Sequence, residues 1–263
     1  MSSTGPEATV KRHCGYIAIV GRPNVGKSTL LNHLLRQKIS ITSRKPQTTR
    51  HRIIGISSDA THQCIFVDTP GLHSQFTKTL NRVMNETVIS VINDVDMILF
   101  LVERLTFNNE DEAVLQALQD TRVPVLLVIN KVDQLNEKHR LLPYIKKLAE
   151  KAGFAEVVPV SALGGHNLDT LENLVKQYLP EGNFLFPKDQ VTDRSSRFLA
   201  AELIREKVTR QLGDELPYEV TVEIEQFKQE GKILHIHGLI LVDKKGQKKI
   251  LVGKDGDRLK HIG

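Results

Sequence analysis

The run Gly21 to Ser28 has the spacing glycine, four residues, glycine, lysine, serine. It stands between the apolar stretch Tyr16–Val20 and a stretch of helical spacing, Lys27–Arg36. Strand, glycine-bounded loop and helix in that order commit the segment to a βα unit whose loop wraps a phosphate group. Gly21 and Gly26 let the backbone curl until its N–H groups face inward, and the helix N-terminus adds positive potential there. Lys27 supplies a point charge for β- and γ-phosphates and Ser28 a hydroxyl ligand for Mg2+. Arg22, Pro23, Asn24, Val25 and Thr29 complete the loop and open the helix.

The rest of the first half continues the rhythm. Apolar runs at Ile53–Ile56, Cys64–Val67, Met97–Val102, Val123–Ile129 and Val157–Val160 alternate with amphipathic stretches at Leu80–Ile92, Asn109–Gln119, Lys138–Lys151 and Leu168–Tyr178. Near-continuous apolar strands belong to sheets covered by helices on both faces, so residues 12–180 predict an α/β domain with a doubly wound, mostly parallel sheet. Residues 1–11 read as a polar tail, and residues 181–192, introduced by Pro180, as a linker of little periodicity.

Beyond the linker the pattern changes. Phe198, Leu199, Leu203, Ile204, Val208 and Leu212 fall near helical spacing; Val220, Val222 and Ile224 alternate, and Ile233–Val242 and Ile250–Val252 read as further strands. Residues 193–263 therefore predict a smaller α+β domain.

At 263 residues, 40% hydrophobic and 25% charged, the chain can bury a core in each domain. No apolar run approaches the roughly 20 residues that cross a bilayer. The polar start, carrying Glu7, has neither the apolar segment of a signal peptide nor the Arg-rich face of a transit peptide, so the cytoplasm is the expected compartment. Cys14 and Cys64 have no companion at zinc spacing and read as small buried residues, while His235 and His237, lacking a cysteine or carboxylate companion, read as surface residues of one strand face. The net charge of +5 is modest, but Lys244, Lys245, Lys248, Lys249, Lys254, Arg258 and Lys260 in the last twenty residues face only Asp255 and Asp257. Charge placed in this way permits an anionic partner.

Three further motifs end strands. Asp68, Thr69, Pro70 and Gly71 put a carboxylate at the C-terminal edge of the sheet, suited to Mg2+, and an N–H at Gly71 for the γ-phosphate. Asn130, Lys131, Val132 and Asp133 present a carboxylate that can accept from N1–H and the exocyclic amine of guanine, which adenine does not offer. Ser161, Ala162 and Leu163 are placed to close the base pocket with backbone N–H groups.

These motifs, in this order over residues 15–180, resemble a translation-factor-class GTPase of the Era family. The resemblance implies that Gln47, Thr48, Thr49 and Arg50 form the mobile loop in which a threonine, here Thr49 rather than Thr48, closes on Mg2+. It implies that Leu72, where Ras-like proteins have a glutamine, leaves another group to position the attacking water. Asn24 is the candidate, through K+ held between it and the phosphates. Lys27, Asn24, Thr49 and Gly71 are then the expected catalytic set.

Gly253, Lys254, Asp255 and Gly256, with Arg258 and Lys260 after them, resemble the G-x-x-G loop and following helix of a type II KH domain, which clamps single-stranded RNA. By the same comparison the module is incomplete, ending at Gly263 before the family's last helix and strand. The resemblance implies GTP and GDP as ligands, small-subunit (16S) ribosomal RNA and the small subunit as partners, a role in its assembly, and a monomer. Peripheral membrane association is also implied, at the inner face of the cell membrane. Two other readings stand beside it: a GTP-dependent docking protein whose second module binds protein, and a P-loop ATPase, against which Asn130 and Asp133 speak.

Overall fold

The computed structural model describes residues 11–42, 49, 51–71, 86, 88–211 and 220–263. The first domain contains β1 (His13–Val20), α1 (Lys27–Leu34), β2 (Ile53–Ser58), β3 (His62–Asp68), β4 (Met97–Glu103), α2 (Asn109–Ala117), β5 (Val125–Asn130), α3 (Leu141–Ala149), β6 (Glu156–Pro159) and α4 (Leu168–Tyr178). The strands form one sheet in the order β2-β3-β1-β4-β5-β6, with β2 antiparallel to β3 and every other pair parallel.

β4 shows why the apolar runs are unbroken. Leu99 and Leu101 pack with Leu30, Leu31, Leu171 and Val175 on one face; Ile98, Phe100 and Val102 pack with Val114, Leu115 and Leu148 on the other. Alternate side chains of a strand point to opposite faces, so a strand buried on both has no polar position to spare. Of the helix expected over Leu80–Ile92, residues 86 and 88–92 are among those described and are helical. The helix expected from Lys138 begins at Leu141, after a 3-10 turn at Lys138–Arg140. α2 starts at a capping box: the Asn108 side chain accepts from Glu110 N–H and Asp111 N–H, and the Asp111 carboxylate accepts from Asn108 N–H.

β1 lies between β3 and β4, so the chain direction of the winding reverses at its C-terminal end, where α/β sheets bind ligands. The ends of β1, β3, β4 and β5 all open to that edge.

Residues 181–192 lie along the sheet. Gln63 accepts from Leu185 N–H and Phe186 N–H and donates to Phe186 O, Ile56 N–H donates to Val191 O, and the Thr192 hydroxyl donates to Ile54 O at 2.7 Å. Phe184 and Phe186 pack beside Cys14, Ile54, Ile56 and Ile65; Cys14 and Cys64 are both free and buried.

The second domain contains α5 (Ser196–Gln211), β7 (Val220–Glu230), β8 (Ile233–Val242), α6 (Lys245–Val252) and α7 (Asp257–Ile262). β7 and β8 are antiparallel, with a register irregularity between Ile224 and Gln226, and Val208, Val220, Leu251 and Ile262 form the centre of a small core. The expected strand Ile250–Val252 is instead the last turn of α6. Three consecutive apolar residues carry no period, and here Gln247 and Leu251, four apart, face the core as helix residues do.

The domains touch through α5. Glu206 pairs with Lys38 and Arg210 and accepts from Thr42, Arg210 donates to Thr42 O, and Phe198 and Leu199 pack against the α1 side of the sheet. No helix among the described residues is long and apolar enough to cross a membrane.

Candidate functional site

The loop between β1 and α1 leaves no room for side chains at its two outer glycines. Gly21 has φ 154°, and a Cβ there would stand 2.5 Å from Leu101 O; Gly26 has φ 104°, and a Cβ there would stand 2.3 Å from Asn130 Nδ2. Lys27 is buried, and its ammonium donates to Gly21 O and Arg22 O at 2.9 Å each, which folds the side chain back over the loop. Burial pulls its pKa down to about 8, although Asp68 opposes the shift. Asn24 is exposed at the loop tip in the left-handed region, with φ 64°.

Side-chain oxygens collect at the start of α1. Ser28 Oγ donates to Asp68 Oδ2 at 2.8 Å and lies 2.9 Å from Thr49 Oγ1. Asp68 Oδ1 is buried with no hydrogen-bond partner among the described residues, and burial pushes the carboxyl up against the pull of Ser40, Ser28 and Lys27. Two hydroxyls and a carboxylate with a spare oxygen form a hard donor set that fits Mg2+. Gly71 backs onto the loop, since a Cβ there would meet Pro23 N at 2.8 Å. Thr69 faces the sheet, its hydroxyl donating to Ile19 O. Gln47, Thr48, Arg50 and Leu72 lie outside the described residues.

The residues expected to meet the base are tied to the same loop. Asn130 Nδ2 donates to Val25 O at 2.8 Å, and its Oδ1 accepts from Lys131 N–H at 2.8 Å and Ala162 N–H at 2.9 Å. One side chain thus joins the phosphate loop, the end of β5 and the segment after β6. Lys131 sits in the left-handed region at φ 64°, Asp133 is exposed, Ser161 is buried and accepts from Gly164 N–H, and Leu163 is 77% exposed.

In the second domain Gly253, Lys254, Asp255 and Gly256 link α6 to α7, with positive φ at Gly253, Asp255 and Gly256. Lys254, Arg258 and Lys260 are exposed around this turn, and Arg258 donates to Ile250 O across it.

Sequence reasoning misses three residues. Ser40 donates to Asp68 Oδ2 at 2.8 Å from a segment without a motif. Glu103 and Asp111 both pair with Arg22. The signal for Glu103 is its position: it ends an apolar strand as Asp68 does, at the edge where ligands bind.

Comparison with known proteins agrees with this geometry. A family profile described as 50S ribosome-binding GTPase matches residues 16–131, and one described as KH domain matches residues 215–263. GTPase Era of Azotobacter vinelandii is 61% identical over 250 residues, covering 95% of this chain and 83% of that protein. GTPase Era of Ectopseudomonas mendocina is 60% identical over 257 residues, covering 98% and 86%. Among solved structures, Era in complex with MgGDPNP and nucleotides 1506-1542 of 16S ribosomal RNA superposes with a TM-score of 0.91 at 41% identity, covering 96% of this chain and 86% of that one. A single-residue variant of Aquifex aeolicus Era bound to GDP.AlF4− gives 0.90 at 41% identity, covering 95% and 86%. With both domains matched in order at this level of identity, the chain belongs to the Era family of GTPases.

Proposed function

We propose that this chain binds GTP with Mg2+ in the loop after β1, hydrolyses it to GDP and phosphate, and uses the turn between α6 and α7 to bind 16S ribosomal RNA during assembly of the small ribosomal subunit in the cytoplasm. The observation that carries the reading is the junction at Asn130, which holds the phosphate loop through Val25 and the base motifs through Lys131 and Ala162.

In this reading the N–H groups from Gly21 to Thr29 surround the phosphates, and Lys27 turns its ammonium from Gly21 O and Arg22 O toward the β- and γ-phosphate oxygens. Ser28, Thr49 and Asp68 would hold Mg2+, which would supply charge neutralisation at the phosphates. Gly71 N–H is placed for the γ-phosphate, and Asn24, exposed beside the loop, would hold K+, which would supply positive charge to the phosphates. Asp133 accepts from guanine, with the N–H groups of Ser161 to Leu163 closing the other edge.

The RNA half rests on Gly253, Lys254, Asp255 and Gly256 with Arg258 and Lys260, whose backbone and charges suit phosphates. The solved relative with 16S RNA matches 96% of the chain, both domains included, whereas the profile described by the 50S ribosome matches residues 16–131 only. The RNA partner therefore follows the former. Phosphate release from GTP, together with filter binding of a fragment from the 3′ end of 16S RNA in the presence of GTP and GDP, tests both halves. An inert chain in the first assay or one indifferent to that RNA in the second defeats the corresponding half.

A further inference from the structure

A second connection joins the two halves of the nucleotide site, apart from Asn130. Glu103, the last residue of β4, directs its two carboxylate oxygens to opposite sides. Oε2 accepts from Arg22 Nη2 at 2.8 Å, and Oε1 lies 3.4 Å from Lys131 Nζ and 3.2 Å from Arg104 Nη1. Arg22 follows the first glycine of the phosphate loop; Lys131 follows Asn130 in the base motif. Arg104 reinforces the base side, because its backbone N–H donates to Asn130 O and its Nε to Gln134 O.

The Arg22 end is firmly seated. Its Nε donates to Asp111 Oδ2 at 3.1 Å, and Asp111 is fully buried at the capping box of α2. The Arg22 side chain is 12% exposed and that of Glu103 21%, so solvent screens this pair far less than a surface ion pair. Burial pushes the Glu103 carboxyl up, but Lys131 and Arg22 outweigh it and hold the group below the usual glutamate range. A planar guanidinium reaching two carboxylates at once fixes both distance and orientation, which an ammonium in its place cannot do.

We propose that Glu103 is a positioning residue of the nucleotide site. By bridging Arg22 and Lys131 it makes the phosphate loop and the base loop move as one body, so that neither releases its part of a bound nucleotide alone. Glu103 touches no phosphate in this role; it acts through two residues that flank the nucleotide from opposite ends. The inference rests on the nucleotide-site reading above.

The test is the dissociation rate of a fluorescent GDP analogue from the whole chain. Glu103→Gln, which keeps the shape and removes the charge, should speed release about tenfold, the size expected when charge-assisted hydrogen bonds are removed. The decisive readout is coupling. With Glu103 present, Arg22→Gln and Lys131→Gln together should accelerate release about tenfold less than the product of their separate effects, and in the Glu103→Gln background the effects should multiply. Because Arg22→Gln strands the buried Asp111 carboxylate, a parallel series carries Asp111→Asn as well. Multiplicative effects with Glu103 present, or a shortfall that persists without it, overturn the proposal. Failure of the unaltered chain to bind GDP at all would count against the nucleotide site itself and is seen in the first measurement.

Discussion

Glu206 of α5 accepts two hydrogen bonds from Thr42, one from its backbone N–H and one from its hydroxyl, at 3.1 Å each. Thr42 is two residues past Ser40, which donates to Asp68, so the second domain holds the chain close to the expected Mg2+ ligands. Glu206→Ala removes a buried acceptor from Thr42, Lys38 and Arg210. Since both cations keep partial access to water, the expected loss is about 1–3 kcal/mol, read as a lower urea midpoint. An unchanged midpoint would mean that the domain contact contributes nothing to stability.

Asp133→Asn should weaken guanine nucleotides by at least about a hundredfold while favouring xanthine nucleotides, because an amide can donate to the oxygen that xanthine carries in place of guanine's amine. Asn130, the neighbouring anchor, is untouched by the change, so the loops should keep their arrangement. Competition binding with GDP and XDP decides it; a retained preference for GDP removes Asp133 from the base pocket.

The Lys27 ammonium, held down to about 8 by burial, gives nucleotide affinity a pH dependence. Bound phosphate favours the charged form, so binding takes up a proton wherever free Lys27 is neutral. Affinity for GDP should be flat below about pH 8 and fall by up to about tenfold per pH unit above it. Lys27→Arg, which stays charged, should flatten the profile even if it binds less tightly. An equally steep decline in that variant assigns the titration to another group.

If Asn24 holds K+, hydrolysis should run about tenfold or more faster in K+ than in Na+, and Asn24→Ala should erase the difference with little effect on GDP affinity. Its exposed position at φ 64° leaves the side chain clear of the loop's own hydrogen bonds. Equal rates of phosphate release in the two salts defeat the assignment.

Lys254→Asp should weaken RNA binding about tenfold and make log K less steep against log salt by about 0.7 for each single-strand phosphate that the variant no longer neutralises. GTP hydrolysis should hardly change, since every motif assigned to the nucleotide site precedes residue 165. RNA affinity indifferent to this reversal, in filter binding at fixed salt, speaks against the turn between α6 and α7.

The phosphate loop, Asp68 and the run Asn130 to Asp133 are legible in the sequence because local backbone geometry dictates them: glycines where a Cβ would clash, and polar residues at the ends of buried strands. The doubly wound sheet is legible for the same reason, since double burial writes unbroken apolar runs. Ile250–Val252 misleads because three apolar residues fit a strand or a helix turn equally, and only packing against α5, β7 and β8 chooses between them. Arg22 with Glu103, and Ser40 with Asp68, pair across 81 and 28 residues, a separation at which no local pattern marks a partner.

The segment 181–192 has the sequence of a linker, yet Ile56, Gln63 and Thr192 fasten it along the sheet. A free tether of about twelve residues would let a module wander over a radius of about 20 Å and so dilute it against any shared target. A fastened one holds the loop after β1 and the turn proposed to bind RNA closer to one separation and one orientation. Much of the entropy cost of arranging them is then met during folding, and a large partner that touches both does not meet it a second time.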